Sequence, residues 1–482
     1  MWRPLPDCNA IDGRGLTLLP GLMDAHVHNR NERRPLELAI RYGVTTSLDL
    51  FSTLPERTRA LQGIRDDPAE TQVSDVYAAG VGATAAGGHG TQYGVPIPVL
   101  GSAADADGFV ATRVAEGSDF IKVIIEPGSV RRSRPTLDLA TVAAVVEAAH
   151  RRGKKAVVHI SIFQAAGAAS DAGADGLVHL WQDATCNPYL IEKLKAAGLF
   201  VVPSLAVEEG AGARGEPRGT RVPDDPRLMA GLDPVGRTNV AYRPALPSLL
   251  DLRAMLAAVQ CLYAASVPLL AGSDAPNPGT WYGVSLHREM ELLTLAGLLP
   301  MDSLRVATAG VADAFGLVDR GRIRIGLRAD LLLVTGDPTR DITATRNIVK
   351  VYKRGVEIRR TDRAPVVQKA WLQPTPYTGQ MRWLPAPACS SLQRSFFTWL
   401  STARSVAART APCSKREHPP RLIASRMLRL NSPECRQPMC ALSRGASLRA
   451  RERSSGQSGV AVRAVIVDAV RAKAARRRPR LT

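Results

Sequence analysis

Short β-rich runs alternate with longer helical stretches across residues 16–275, and this alternation constrains the fold more than any other feature of the chain. Eight runs read as strands: Leu16–Leu19 leading to His28, Thr45–Leu50, Val76–Gly80, Phe120–Ile125, Ala156–Ile160, Gly176–Leu180, Phe200–Leu205 and Pro268–Ser273. Most are separated by Ala-, Leu- and Arg-rich segments with helical spacing. In Leu137–Arg152, for example, Val142, Val145, Val146 and Ala149 fall on one stripe. Repeated strand–helix units set parallel strands side by side under a layer of helices, and eight of them predict an α/β fold closed as a (β/α)8 TIM-like barrel. An open doubly wound sheet would need fewer strands and a Gly-rich phosphate loop after the first, and neither is seen.

The pattern changes after Thr308. Arg322–Gly326 and Asp330–Thr335 read as short strands, and Asn347–Arg354 with Val356–Ile358 as a pair turning at Gly355. A small β unit beside the barrel is expected. Beyond residue 361 the composition shifts to Arg, Ser, Pro and Ala, with 23 Lys and Arg against 5 Asp and Glu. That segment therefore holds +18 of the chain's net +19, and the rest is nearly neutral. A basic nucleic-acid-binding arm is one reading of residues 361–482, and a disordered extension is the other. With no periodic pattern sustained there, the extension is favoured and nucleic acid is not expected as a partner. No apolar run is long enough for a membrane span, and the N-terminus lacks the apolar core of a signal peptide, so a cytoplasmic protein is expected. The 7 cysteines form no Cys-x-x-Cys pair and suggest no disulfide framework, which fits a reducing compartment.

In a closed barrel, chemistry collects at the C-terminal ends of the strands. The first strand ends in Pro20-Gly21-Leu22-Met23-Asp24-Ala25-His26-Val27-His28, where two imidazoles at i and i+2 share a strand face. The fourth strand carries Lys122, the fifth His159, the sixth His179, and the eighth ends in Gly272-Ser273-Asp274. Taken singly, each has a plain structural reading: a hydrogen-bonded core histidine, a snorkelling lysine, a helix-capping aspartate. Together they place buried histidines, a lysine and a carboxylate at one barrel mouth, where they would be costly unpaired, and a divalent cation is the natural common partner. His89, in the loop Gly87-Gly88-His89-Gly90-Thr91-Gln92-Tyr93-Gly94, is a candidate substrate contact. His287 reads as helix packing.

On these residues the chain resembles the amidohydrolase superfamily of metal-dependent hydrolases. Asp319–Ile323, Gly326–Leu331 and Asn347–Gly355 extend the resemblance to roughly residues 14–358. It is nearest the imidazolonepropionase-like branch, which includes metal-dependent dipeptidases and carboxypeptidases. The resemblance implies a binuclear centre, with Zn2+ as the metal. His26, His28 and Asp274 would hold the more buried ion, His159 and His179 the second, and Lys122, as a carbamate, would bridge the two. It also implies cleavage of a C–N bond in an amide, cyclic amide or dipeptide-like small molecule by a metal-bound hydroxide, with Asp274 accepting and then returning the proton. The alternatives are a basic-tailed nucleic-acid-binding protein and a non-catalytic barrel scaffold. Homo-oligomerisation is compatible with all three. Members of the family carry a longer segment before the first barrel strand. The expected division is thus residues 1–15 as a remnant of a truncated N-terminal β segment, 16–310 as the barrel, 311–360 as a small β-sandwich domain, and 361–482 as a basic, low-order tail.

Overall fold

The computed structural model describes residues 11–129, 132–184, 186–215, 219–244 and 250–360. The expectations for residues 1–10 and for the tail 361–482 lie outside the described residues.

The expected first strand is two strands, β1 (Leu16–Pro20) and β2 (Leu22–Val27). Gly21 separates them. A Cβ there would collide with the Thr45 side chain, and the Gly21 N–H donates to Asp330 O at 2.7 Å, so the chain turns from one sheet into another at the only residue small enough to allow it. The barrel follows: β3 (Val44–Asp49), β4 (Asp75–Ala78), β5 (Ile121–Ile124), β8 (Ala156–His159), β9 (Gly176–Val178) and β10 (Phe200–Val202). A short hairpin, β6 (Gly128–Ser129) and β7 (Arg132–Ser133), lies between β5 and β8. β2, β3 and β4 pair in parallel, as do β5, β8, β9 and β10. Ala83, just past β4, joins β5 through the Ala83 N–H to Lys122 O at 2.8 Å. The stretch 268–275 closes the ring. It bridges β10 at Val201 and Leu269, and it bonds to β2 through Ala25 N to Ala271 O and His28 N to Ala275 O. Seven of the eight expected barrel strands therefore form, the first in shortened form, while the eighth, Pro268–Ser273, takes its place in the ring through isolated bridges rather than as a regular strand.

Period-2 alternation sorts the side chains. Met23, Leu48, Phe120, Val157, Val178, Phe200 and Leu270 form an inner cluster with Val311 and Ala312. Leu22, Ile121, Val123, Val158, Leu177 and Val201 belong to a second cluster shared with the surrounding helices. The helix Leu139–Arg151 forms where its apolar stripe predicts. Asp138 caps it by accepting from Thr141 N at 2.7 Å, and Val142, Val145, Val146 and Ala149 are buried.

The small sheet runs β1, β11 (Leu331–Thr335), β12 (Ile348–Lys353), β13 (Val356–Glu357), all antiparallel. It takes residues 16–20 from the segment assigned to the barrel. The expected strand Arg322–Gly326 does not form: Ile323 and Ile325 project into solvent, so the alternation there has no surface to pack against. At the barrel floor, a buried ionic cluster fastens this sheet to the strands. Lys353 Nζ lies 2.6 Å from Asp75 Oδ1 and donates to Thr45 O at 3.0 Å, while Arg320 and Arg328 also pair with Asp75.

One covalent link departs from expectation. Cys186 and Cys261 are joined as a disulfide across 75 positions of sequence, their Cα atoms 6.0 Å apart. Their spacing carries no motif; the pairing arises because the loop after β9 folds against the helix Leu252–Ala264. Among the described residues no helix is long and apolar enough to cross a membrane.

Candidate active site

The ends of the barrel strands bring the expected residues to one mouth. His26 is the penultimate residue of β2 and is fully buried, whereas His28, just beyond the strand, is half-buried. The β2–β3 ladder shifts between Asp24 and Val27, an irregularity that re-aims side chains at the strand end. His159 is the last residue of β8 and His179 follows β9 directly. His179 and Asp274 both lie in the left-handed backbone region, at φ 67° and 53°, and Ser204 past β10 does the same at φ 53°. Non-glycine residues avoid this region, and such strain clusters at functional sites. Gly272 lets the closing stretch pass beside His26, since a Cβ there would press on Val202 and on His26.

Asp274 is the hub. His28 Nε2 lies 2.9 Å and His26 Nε2 3.3 Å from its Oδ1, and His179 Nε2 lies 3.7 Å from its Oδ2. Oδ1 is buried and, despite these close nitrogens, receives no hydrogen bond. Ligand atoms of His26, His179 and Asp274 all fall within 4.8 Å of one another. This trio differs from the expected grouping, in which His26, His28 and Asp274 stand together. His28 also reaches Asp274, at 2.9 Å, so the carboxylate touches all three imidazoles. The His159 ring stands edge-on to His179 with centroids 4.6 Å apart, and its Nε2 lies 3.2 Å from Glu126 Oε2. His89 stacks on His159 at 4.9 Å. Lys122, on β5, is 3 % exposed, and its Nζ has no hydrogen-bond partner.

Burial sets the protonation states. It pushes Lys122 down to about 7, with only Asp274 opposing, and His89 down to about 4. His26, His159 and His179 fall well below the ordinary histidine value because they are buried and share the site with Lys122 and one another. The mouth thus presents neutral imidazoles with free lone pairs, a lysine poised to lose its proton, and a carboxylate.

Five further polar residues were missed by sequence reasoning. Asp24 accepts from Ser273 N at 2.9 Å, Ser273 Oγ at 2.6 Å and His26 N at 3.2 Å, tying the first barrel strand to the last; burial raises it to about 7. Ser204 Oγ lies 3.0 Å from His26 Nδ1 and fixes that ring. Glu126 faces His159, and Glu208 lies 4.0 Å from His179 and is raised to about 7 by burial and the charge of Asp274. Asp49, at the end of β3, is raised to about 6 by burial. Asp49, Glu126 and Ser204 sit at or just past the C-terminal ends of barrel strands, where the same positional rule applies to every polar residue, whereas Asp24 lies within β2 and Glu208 on the helix Leu205–Gly210, which strand-end position does not signal. His287 does not join the site. It lies 2.9 Å from both Thr345 Oγ1 and Tyr42 O, a packing role as expected.

Residues 17–358 match the amidohydrolase family, and the chain belongs to it. It is accordingly a hydrolase acting on carbon–nitrogen bonds, from a family that generally binds divalent metals. No curated protein matches the chain. Among solved structures, a Xaa-Pro dipeptidase with methionine bound in its active site is 21% identical, with a TM-score of 0.58 over 71% of this chain and 87% of that one. An ochratoxinase from A. niger is 20% identical, with a TM-score of 0.54 over 70% and 83%. A molinate hydrolase is 20% identical, with a TM-score of 0.56 over 74% and 86%.

Proposed function

We propose that this chain hydrolyses the C–N bond of a small amide, cyclic amide or dipeptide-like molecule at a divalent-metal centre in the barrel mouth. The observation that carries the reading is the convergence of His26, His179 and Asp274 around a common point, with Asp274 Oδ1, His179 Nδ1 and Lys122 Nζ buried and without a hydrogen bond. Orphaned buried atoms of this kind are costly and call for a partner. Neutral nitrogen donors with a carboxylate suit zinc or a similar ion. His26, His28, His159, His179 and Asp274 would hold the metal, and Lys122 would join them as a carbamate. A bound ion of this class polarises a carbonyl and makes water a nucleophile near neutral pH.

The protein's own groups have separable tasks. Asp274 faces three imidazoles and is placed to take a proton from the attacking water and hand it to the leaving nitrogen. Lys122, brought down to about 7, is a neutral amine for much of the time at neutral pH. Such an amine can add CO2 to give a carbamate, which turns a misplaced cation into an anionic ligand. Ser204 and Asp24 hold His26 and the closing stretch in position. Dipeptide-like chemistry is supported by the dipeptidase among the structural neighbours. The test is metal analysis after zinc-supplemented expression, together with a panel of amides, lactams and dipeptides. About one or two ions per chain and turnover of at least one amide support the reading. Less than half an ion per chain with no turnover overturns it.

A further inference from the structure

The hairpin after β5 carries a cation that the site does not answer. Arg134 follows β7 and closes the hairpin through its N–H to Pro127 O at 2.8 Å. Its guanidinium Nη1 lies 3.5 Å from His89 Nδ1, and among the described residues no carboxylate comes within ion-pair distance of it. Glu126, at the base of the same hairpin, is engaged elsewhere. Its Oε1 accepts from Gly128 N at 2.8 Å, and its Oε2 faces His159.

His89 cannot neutralise this charge. A guanidinium only donates, so the Nδ1 facing it must be the unprotonated nitrogen, which leaves the proton on Nε2, 3.4 Å from the Tyr93 hydroxyl. The ring is therefore a neutral spacer, with Arg134 against its edge and His159 against its face. Its position is held tightly. Gly88 has no room for a side chain between Thr84 and Pro135, so the His89 loop and the Arg134 hairpin are pressed together. The charge of Arg134 is felt by both His89 and His159. A half-buried guanidinium without a counter-ion, set at the rim of a site built for small molecules, is matched by an anion on the substrate. Its planar fork matches a carboxylate best.

We propose that Arg134 is the specificity-determining residue that binds a carboxylate of the substrate, so that the site favours amides bearing a free carboxylate over neutral amides of the same shape. The proposal rests on the amide-hydrolysis reading above and narrows it to N-acyl amino acids and dipeptide-like acids. The carboxylate would lie on the β5–β8 side of the mouth, with the scissile bond toward Asp274.

The experiment uses the full-length, metal-loaded protein and matched pairs, each an N-acyl amino acid or dipeptide and its C-terminal carboxamide. Turnover is measured for the parent protein, Arg134→Gln and Arg134→Lys. Binding of the same compounds is read separately by thermal shift. A charge-assisted pair predicts that the parent favours the acid by about 10- to 100-fold in kcat/KM. Arg134→Gln should lose that preference chiefly through KM, with a loss on the acid at least tenfold larger than on the carboxamide, and Arg134→Lys should restore part of it. Equal loss on both members of each pair, or a parent that binds the carboxamides as well as the acids, overturns the assignment. Turnover without acid preference sinks only this proposal. Absence of turnover from every pair sinks the amide reading, and the thermal shifts still decide whether Arg134 selects the acid.

Discussion

Two fully buried lysines sit at opposite ends of the barrel strands and face opposite circumstances. At the floor, Lys353 is 0 % exposed, paired with Asp75 and donating to Thr45 O; burial still lowers it, to about 8. At the mouth, Lys122 is as deeply buried and has no hydrogen-bond partner. Paired buried charge locks pieces of a fold together, and its loss leaves the partner stranded. Unpaired buried polar groups are a cost that a fold keeps only where a ligand, ion or modification completes them. The same residue type is thus paired at one end and left without a hydrogen bond at the other, where we propose it serves chemistry, and the difference lies in its neighbours.

The sharpest way to break this comparison is at Asp274. On the proposed mechanism Asp274→Asn removes the proton carrier and one metal ligand, so kcat should fall by at least about 10²–10⁴-fold while the circular dichroism spectrum stays unchanged. A variant retaining more than a tenth of the activity would move general base catalysis elsewhere. At the floor, Lys353→Met leaves Asp75 facing only Arg320 and Arg328 and removes a strap from the small sheet. Urea unfolding should show a loss of about 3–5 kcal/mol, with any surviving folded protein still binding metal. Lys122→Met should do the reverse. In chelator its stability should stay within about 1 kcal/mol of the parent, because the lost amine had no partner, while metal content and turnover collapse.

Acid separates the two ends further. Burial alone would raise Asp75, but Lys353, Arg328 and Arg320 outweigh it and hold the carboxyl below its ordinary 3.8. Its contribution to stability is present above that value and is lost as the pH falls through the depressed one. The stability gap between parent and Asp75→Asn should therefore be widest near neutrality and close at strongly acidic pH. Glu289 lies behind the mouth and accepts from Ala206 N at 2.7 Å; burial raises it to about 8. Its contribution is greatest below the ordinary glutamate range and fades as the pH rises through about 8. Glu289→Gln should cost less than about 1 kcal/mol at pH 5 and flatten the pH dependence of melting between pH 5 and 8.

Much of this was legible in the sequence because it is carried by periodicity and position. The eight strand runs and the stripe in Leu137–Arg152 report burial directly, and His26, Lys122, His159, His179 and Asp274 were found by asking what ends each strand. Other features depend on three-dimensional neighbours. Gly21 divides two sheets only because Thr45 crowds it, and Cys186 meets Cys261 only through the packing of a loop on a helix. Arg322–Gly326 has the alternation of a strand and no surface to pack on. Within the site, His179 and Asp274 both take left-handed backbone turns, which no residue type announces.

The pairing of β1 with β11 joins Leu16 to Thr335 and Pro20 to Leu331. During synthesis the first strand emerges long before its partner exists. It must wait, with backbone groups open on both sides, until nearly the whole barrel has left the ribosome. The same late segment delivers Lys353 to Asp75, so until then that carboxylate has only Arg320 and Arg328 to pair with. A chain halted before residue 331 would present a sticky strand beside a floor that lacks its lysine, and quality control could tell it from a longer one by that end alone.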